Sequence, residues 1–192
     1  MKDILTIDGC RVAGIVLEQC LNAMAQNKPL LLMGPPASGK IMLARRLGML
    51  RGGPFRAPHH TVSDAGMVGT HRHPRGECSL ADGGVLLLDE MPEFRRAVLQ
   101  HIAVAYQEKM ISHYDREAES NFRVASDFYP IATAAACACS YTWSERACQC
   151  TVNQRDRYHA RYDQYRYRLG FVTVNVTRGL RDSGPCIVDP FP

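Results

Sequence analysis

Apolar residues in this chain fall into short blocks separated by Gly- and Pro-rich turns, and the blocks alternate with stretches of helical spacing. Leu30-Leu31-Leu32-Met33 and Val85-Leu86-Leu87-Leu88 contain no polar position, which predicts strands buried on both faces. Residues 171–176, rich in β-branched side chains, read as a further strand, with others at 130–134 and, shorter, at 54–57. In 12–25, Val12, Ile15, Val16, Cys20 and Ala23 recur near one helical face, and Pro29 breaks the pattern. Stretches 41–50, 93–107 and 155–169 carry the same period. Residues 59–84 are rich in Gly, Pro and His and predict loops around a short helix or hairpin. The polar stretch that follows, through Asp127, has little period of either kind.

Alternating strands and helices predict an α/β fold with a central parallel sheet covered on both faces. Composition agrees: 192 residues with 46% hydrophobic and 22% charged content suit one soluble α/β domain. No apolar run is long enough to span a bilayer, and the N-terminus MKDILTIDG lacks the apolar core of a secretory signal. The expected compartment is therefore the cytosol. A net charge of +4 is mild and does not itself imply nucleic acid.

The chemistry begins at Gly34-Pro35-Pro36-Ala37-Ser38-Gly39-Lys40, which satisfies G-x-x-x-x-G-K between a buried strand and a helix. Glycines there let successive backbone N–H groups point at phosphate oxygens, and the following helix adds its positive end. Lys40 would reach the outer phosphates. The next residue should carry a hydroxyl for magnesium, and it is Ile41. The plainer reading is a turn that only joins strand to helix. Val85–Leu88 then runs into Asp89-Glu90, as in an acidic strand end where Asp89 would hold magnesium through water and Glu90 would act as general base. Alone, two acids after a strand could equally be a solvated turn.

Residues 54–61, PFRAPHHT, followed by Ser63-Asp64-Ala65-Gly66 and by the run from Gly84 to Phe94, resemble the signature of the magnesium-chelatase-like AAA+ ATPase family, of the type that includes the competence protein ComM. The resemblance implies a P-loop NTPase three-layer sandwich, ATP and magnesium as cofactors, and a homo-oligomeric ring. Some members of the family act on DNA as branch-migration motors. It also marks departures. Residues expected between the P-loop helix and Pro54 are missing, the sensor asparagine falls on Ala135, the arginine-finger segment after Leu169 is absent, and no lid domain follows. The domain expectation is a degenerate AAA+ core over 1–179 and an irregular tail over 180–192. Each loss removes a part used in hydrolysis while the phosphate-binding parts stay. Two readings compete on this ground, an ATPase with impaired turnover and a non-catalytic module that binds nucleotide or a partner.

Of eight cysteines, Cys137, Cys139, Cys148 and Cys150 form C-x-C-x8-C-x-C and match the placement of such pairs in the same family. Four thiolates so close in sequence could close a tetrahedral zinc site. Paired C-x-C is less diagnostic than C-x₂-C, and small buried thiols without metal are the alternative. Arginines at 155, 157, 161, 166 and 168 interleave with Tyr158, Tyr162, Tyr165 and Tyr167. Packing tyrosines with solvated arginines are the favoured reading, and base stacking with phosphate contacts is its rival. A zinc-stabilised nucleic-acid-binding domain is accordingly the third functional hypothesis. His59 and His60 belong to the family signature, and no metal is assigned to them.

Overall fold

The two all-apolar blocks become inner strands of one parallel sheet, because only a strand covered on both faces can bury every side chain of such a run. The computed structural model describes residues 4–7, 10–115, 119–144 and 146–176. The expected tail over 180–192 and the domain limit at 179 lie outside the described residues. The first half comprises β1 (Ile4–Ile7), β2 (Cys10–Ala13), α1 (Gly14–Ala25), β3 (Leu30–Met33), α2 (Lys40–Arg51) and β4 (Phe55–Arg56). There follow α3 (Asp64–Val68), α4 (Glu77–Leu80), β5 (Val85–Leu88), a 3₁₀ turn (Met91–Glu93) and α5 (Arg96–Glu108). The remainder is β6 (Met110–Asp115), β7 (Ser120–Ala125), β8 (Tyr129–Ala134), α6 (Val152–His159), α7 (Asp163–Leu169) and β9 (Val172–Asn175).

The main sheet has the order β4-β5-β8-β3-β9, and every pairing in it is parallel. Side chains alternate across it. Leu30, Leu32, Val85, Leu87 and Ile131 pack with Leu17 and Cys20 of α1 and Leu43 and Leu47 of α2. On the other face Leu31, Leu86, Leu88 and Ala132 meet Met67, Val98, Leu99 and Ile102, with Tyr162 and Tyr165. Helices on both faces make the expected three-layer sandwich. The expected absence of a lid domain concerns residues beyond 176, which lie outside the described residues.

Local differences have physical causes. Strand pairing of β1 with β2 takes up Val12 and Ala13, so α1 begins at Gly14, and its buried positions are Leu17, Cys20 and Ala23 while Ile15 is 64% exposed. Residues 59–84 hold two short helices rather than a hairpin. The polar stretch after α5 is an antiparallel hairpin, β6 with β7, held by cross-strand pairs such as His113 with Phe122. The helix expected over 155–169 is two helices. Arg161 and Tyr162 donate to carbonyls three residues back, Tyr158 and His159, so the coil tightens there and α6 stops. A capping box between Thr151 and Gln154 opens α6, and Gly170 in the left-handed region closes α7.

Candidate functional site

In a parallel sheet all carboxyl ends lie along one edge, so the loops after β3, β5 and β8 converge although they are distant in sequence. A cleft of about 380 Å³ opens there. It is lined by the Gly34–Ile41 loop, by Asp89 and Glu90, and by Thr133, Ala135 and Ser140. The two sequence-predicted clusters, phosphate loop and acid pair, are thus brought together.

The loop leaves β3 at Gly34, whose N–H donates to the Ala134 carbonyl at 3.1 Å and where any Cβ would collide with the Val176 carbonyl oxygen. Only glycine permits that approach. Pro35 is buried, while Pro36 is exposed toward solvent. Ala37 (φ +56°) and Gly39 (φ +86°) take left-handed conformations at alternate positions, the backbone pattern of an anion-binding nest. The Gly39 cap brings no side chain to the first turn of α2, whose N–H groups stay available at the cleft end of the helix. Ser38 is 7% exposed, and its Oγ has no hydrogen-bond partner among the described residues. A buried hydroxyl left so costs about 1–3 kcal/mol unless a ligand satisfies it. The loop therefore fits a phosphate group.

Lys40 Nζ donates to the carbonyls of Gly34 at 2.8 Å and Pro35 at 2.7 Å. Burial lowers the Lys40 pKa, and the carboxylates of Asp89 and Glu90 oppose that shift. Ile41, on the outward side of α2, is 44% exposed and lines the same cleft, so the position where a hydroxyl would serve a metal ion presents hydrocarbon. The oxygen donors at the cleft come instead from across the sheet. Thr133 Oγ1 donates to Asp89 Oδ1 at 2.6 Å and accepts the Glu90 N–H at 2.9 Å. Glu90 itself sits in the left-handed region at φ +55°. Thr133 was not singled out by motif or spacing, since a threonine inside an apolar strand reads as an ordinary β-former. Ala135, where the resemblance implies a sensor asparagine, lines the cleft and offers only backbone, its N–H donating to the Tyr158 hydroxyl at 3.2 Å.

The second cluster lies directly beyond. The Sγ atoms of Cys137, Cys139, Cys148 and Cys150 all lie within 4.8 Å of one another. Cys137 stands 3.4 Å from Cys139 and 3.6 Å from Cys148, close to the roughly 3.8 Å edge of a tetrahedron with 2.3 Å zinc–sulfur bonds. Burial raises the Cys137 thiol, but donation from Thr142, its hydroxyl at 2.9 Å, and from Cys139 and Cys148 outweighs this and brings it down to about 6. The donor set and spacing fit a soft divalent metal. Beside the cluster, a wider hollow of about 740 Å³ is bordered by Cys139, Cys150, Arg157 and Arg161, with Arg161 paired to Glu93 at 2.9 Å.

Tyr158, Tyr162 and Tyr165 are all buried in the core, and Tyr165 donates to the Arg96 carbonyl. These three rings pack, as the favoured reading of the sequence had it. Tyr167 is 72% exposed. In the family signature, Arg56 makes a bidentate pair with Glu77, both bonds 2.7 Å, tying β4 to α4, and His59 Nδ1 lies 2.8 Å from the Thr61 hydroxyl.

A phosphate-type loop and an acidic strand end separated by one intervening strand, on a five-stranded parallel sheet, define a nucleotide-binding P-loop protein of the AAA+ type. The family described as "Magnesium chelatase, subunit ChlI" matches residues 48–166, more than half of the sequence, and the chain belongs to that family. Competence protein ComM of Haemophilus influenzae is 42% identical over an alignment covering 40% of this chain and 21% of that protein. The uncharacterized protein YifB of Escherichia coli is 42% identical, over 36% of this chain and 20% of its own length. The chain therefore spans about a fifth of the curated relatives it matches. Among solved structures, NtrX from Brucella abortus in complex with ATP superposes with a TM-score of 0.60 at 20% identity, covering 85% of this chain and 36% of NtrX. The NtrX complex with ADP gives 0.57. Those two likenesses concern the fold alone. No helix among the described residues is long and apolar enough to cross a membrane.

Proposed function

We propose that this chain is an AAA+ module that binds ATP at the Gly34–Ile41 loop and turns it over slowly. One observation carries the reading: the loop, whose buried Ser38 hydroxyl has no partner among the described residues, shares a single cleft with Asp89 and Glu90. Backbone N–H groups of residues 37–39 and the start of α2 would hold the phosphates, with Lys40 as the charge partner. Asp89 would hold magnesium through water, and Glu90 would orient and deprotonate the attacking water. Magnesium, when bound, would supply charge neutralisation between the outer phosphates. Three groups that lower the barrier are missing from the motif set: Ile41 gives no ligand, Ala135 gives no side-chain hydrogen bond, and the arginine-finger segment is absent after Leu169. That combination favours holding nucleotide over splitting it.

The test is a titration of ATP and ADP, with and without magnesium, on wild type and Lys40→Ala. The variant should bind at least about tenfold more weakly, the loss of one charge-assisted contact of about 1.5–3 kcal/mol. Equal affinity in the two proteins would sink the reading.

A second site is supported by the sulfur spacing. Cys137, Cys139, Cys148 and Cys150 would hold one zinc ion as a closed structural site. Such thiolates persist in a reducing compartment, which agrees with placement in the cytosol. Membership of the family, which by the resemblance implies ring assembly and in some members action on DNA, supports a homo-oligomeric ring that works on DNA. With the three core tyrosines buried, contact with DNA would rest on phosphate pairing by exposed Arg155 and Arg157, and would weaken steeply with salt.

A further inference from the structure

Thr133 is 1% exposed, yet its hydroxyl lies at the boundary of the cleft and bonds to both acidic residues there. Its single proton goes to Asp89 Oδ1 at 2.6 Å, and a lone pair takes the Glu90 N–H at 2.9 Å. The hydroxyl belongs to β8, whose Ala132 is in register with Leu88 of β5, so it is held by the sheet and not by a loop. Two things follow. The carboxylate accepts from Thr133 through one oxygen, which turns it to a fixed orientation and leaves the other for water or a metal ion. The left-handed turn at Glu90, costly for a residue with a Cβ, is kept by the same hydroxyl.

We propose that Thr133 is the positioning residue of the magnesium site, and that it takes over in part from the hydroxyl missing at Ile41. With no oxygen at position 41, the protein's hold on the ion depends on how well one carboxylate is aimed. A group that hydrogen-bonds a ligating carboxylate typically changes metal affinity by 10–100-fold when removed. The proposal rests on the nucleotide reading of the cleft, and the experiment separates the two.

ATP is titrated into wild type, Thr133→Val, Thr133→Ala and Thr133→Ser, once with a chelator and once with excess magnesium. Without magnesium the four proteins should agree within about twofold, because phosphate binding uses Lys40 and the loop backbone. The gain on adding magnesium should fall at least about tenfold in the valine and alanine variants and return in the serine variant. A full magnesium gain in the alanine or valine variant overturns the proposal, as does a serine variant as impaired as alanine. Should valine prevent folding, seen as loss of a cooperative melt, the alanine–serine pair carries the comparison. If wild type binds no ATP under either condition, the nucleotide reading falls and the proposal with it, a result unlike loss of the magnesium gain alone.

Discussion

The cleft and the cysteine cluster lie a few residues apart along the chain, yet they are built in opposite ways. The cleft draws Gly34, Asp89 and Thr133 from three neighbouring strands, each fixed by sheet register and by core side chains beneath it. The cluster draws four thiols from the stretch 137–150, whose described residues form no strand or helix. Only Cys137 among the four is buried, and Tyr141 and Trp143 beside it are 37% and 45% exposed. One site is shaped by the fold before any ligand arrives. The other has little besides its ligands to hold it, so a metal ion there would act as a staple for a segment without a core.

The largest expected effect concerns chemistry at the preformed site. Loss of an arginine finger alone costs on the order of a thousandfold in rate, and steady-state ATP turnover should stay below about one per second. Ile41→Thr should strengthen magnesium-dependent binding without restoring fast hydrolysis. Turnover of about one per second or more that disappears in Glu90→Gln would show that a well-shaped cleft suffices, and the slow-turnover reading would be wrong.

A smaller effect should mark the cluster. Protein prepared without chelators should contain about one zinc per chain by elemental analysis, and Cys137→Ser with Cys148→Ser should remove it. Limited proteolysis should then cut within 137–150 while the main melting transition moves by less than about 4 °C. Zinc retained in the double variant, or collapse of the whole fold, would erase the contrast between the two regions.

The smallest test probes a seam elsewhere, where the α6–α7 junction packs on the core. Tyr162 is fully buried, and its hydroxyl lacks a partner among the described residues. Tyr162→Phe should raise stability by up to about 1 kcal/mol in a denaturant titration, since the ring stays and an unsatisfied polar atom goes. A loss of stability would mean that this hydroxyl is engaged, and that the seam is polar in a way the packing of α6 and α7 does not suggest.

What the sequence made legible follows the same division. Leu30–Met33 and Val85–Leu88 announce themselves because four apolar residues in a row have nowhere to go but a two-faced core. The loop and the acid pair were readable because their chemistry dictates residue types at fixed spacing, and the four cysteines because thiolates cluster for few reasons. The β6–β7 hairpin was hidden, since its stability comes from pairs such as Ser112 with Arg123 that no local window contains. The break at Ala160 was hidden as well: Tyr158, Tyr162 and Tyr165 keep the spacing of one unbroken helix face while the backbone bonds between them change type. Thr133 escaped for a third reason. Its meaning depends on what stands opposite it on the next strand, which is a fact of register and not of motif.

The two bonds from Lys40 to the carbonyls of Gly34 and Pro35 have a consequence for how any affinity is interpreted. The lysine already has company, so an incoming phosphate must compete for it with the loop's own oxygens. Binding is then an exchange of partners, and its strength measures the difference between two anchorages. Weakening those two bonds should favour the lysine's exchange to phosphate only where the rest of the loop keeps its shape. The lysine behaves as a latch as much as a hand, keeping the turn folded on itself until something more highly charged claims it.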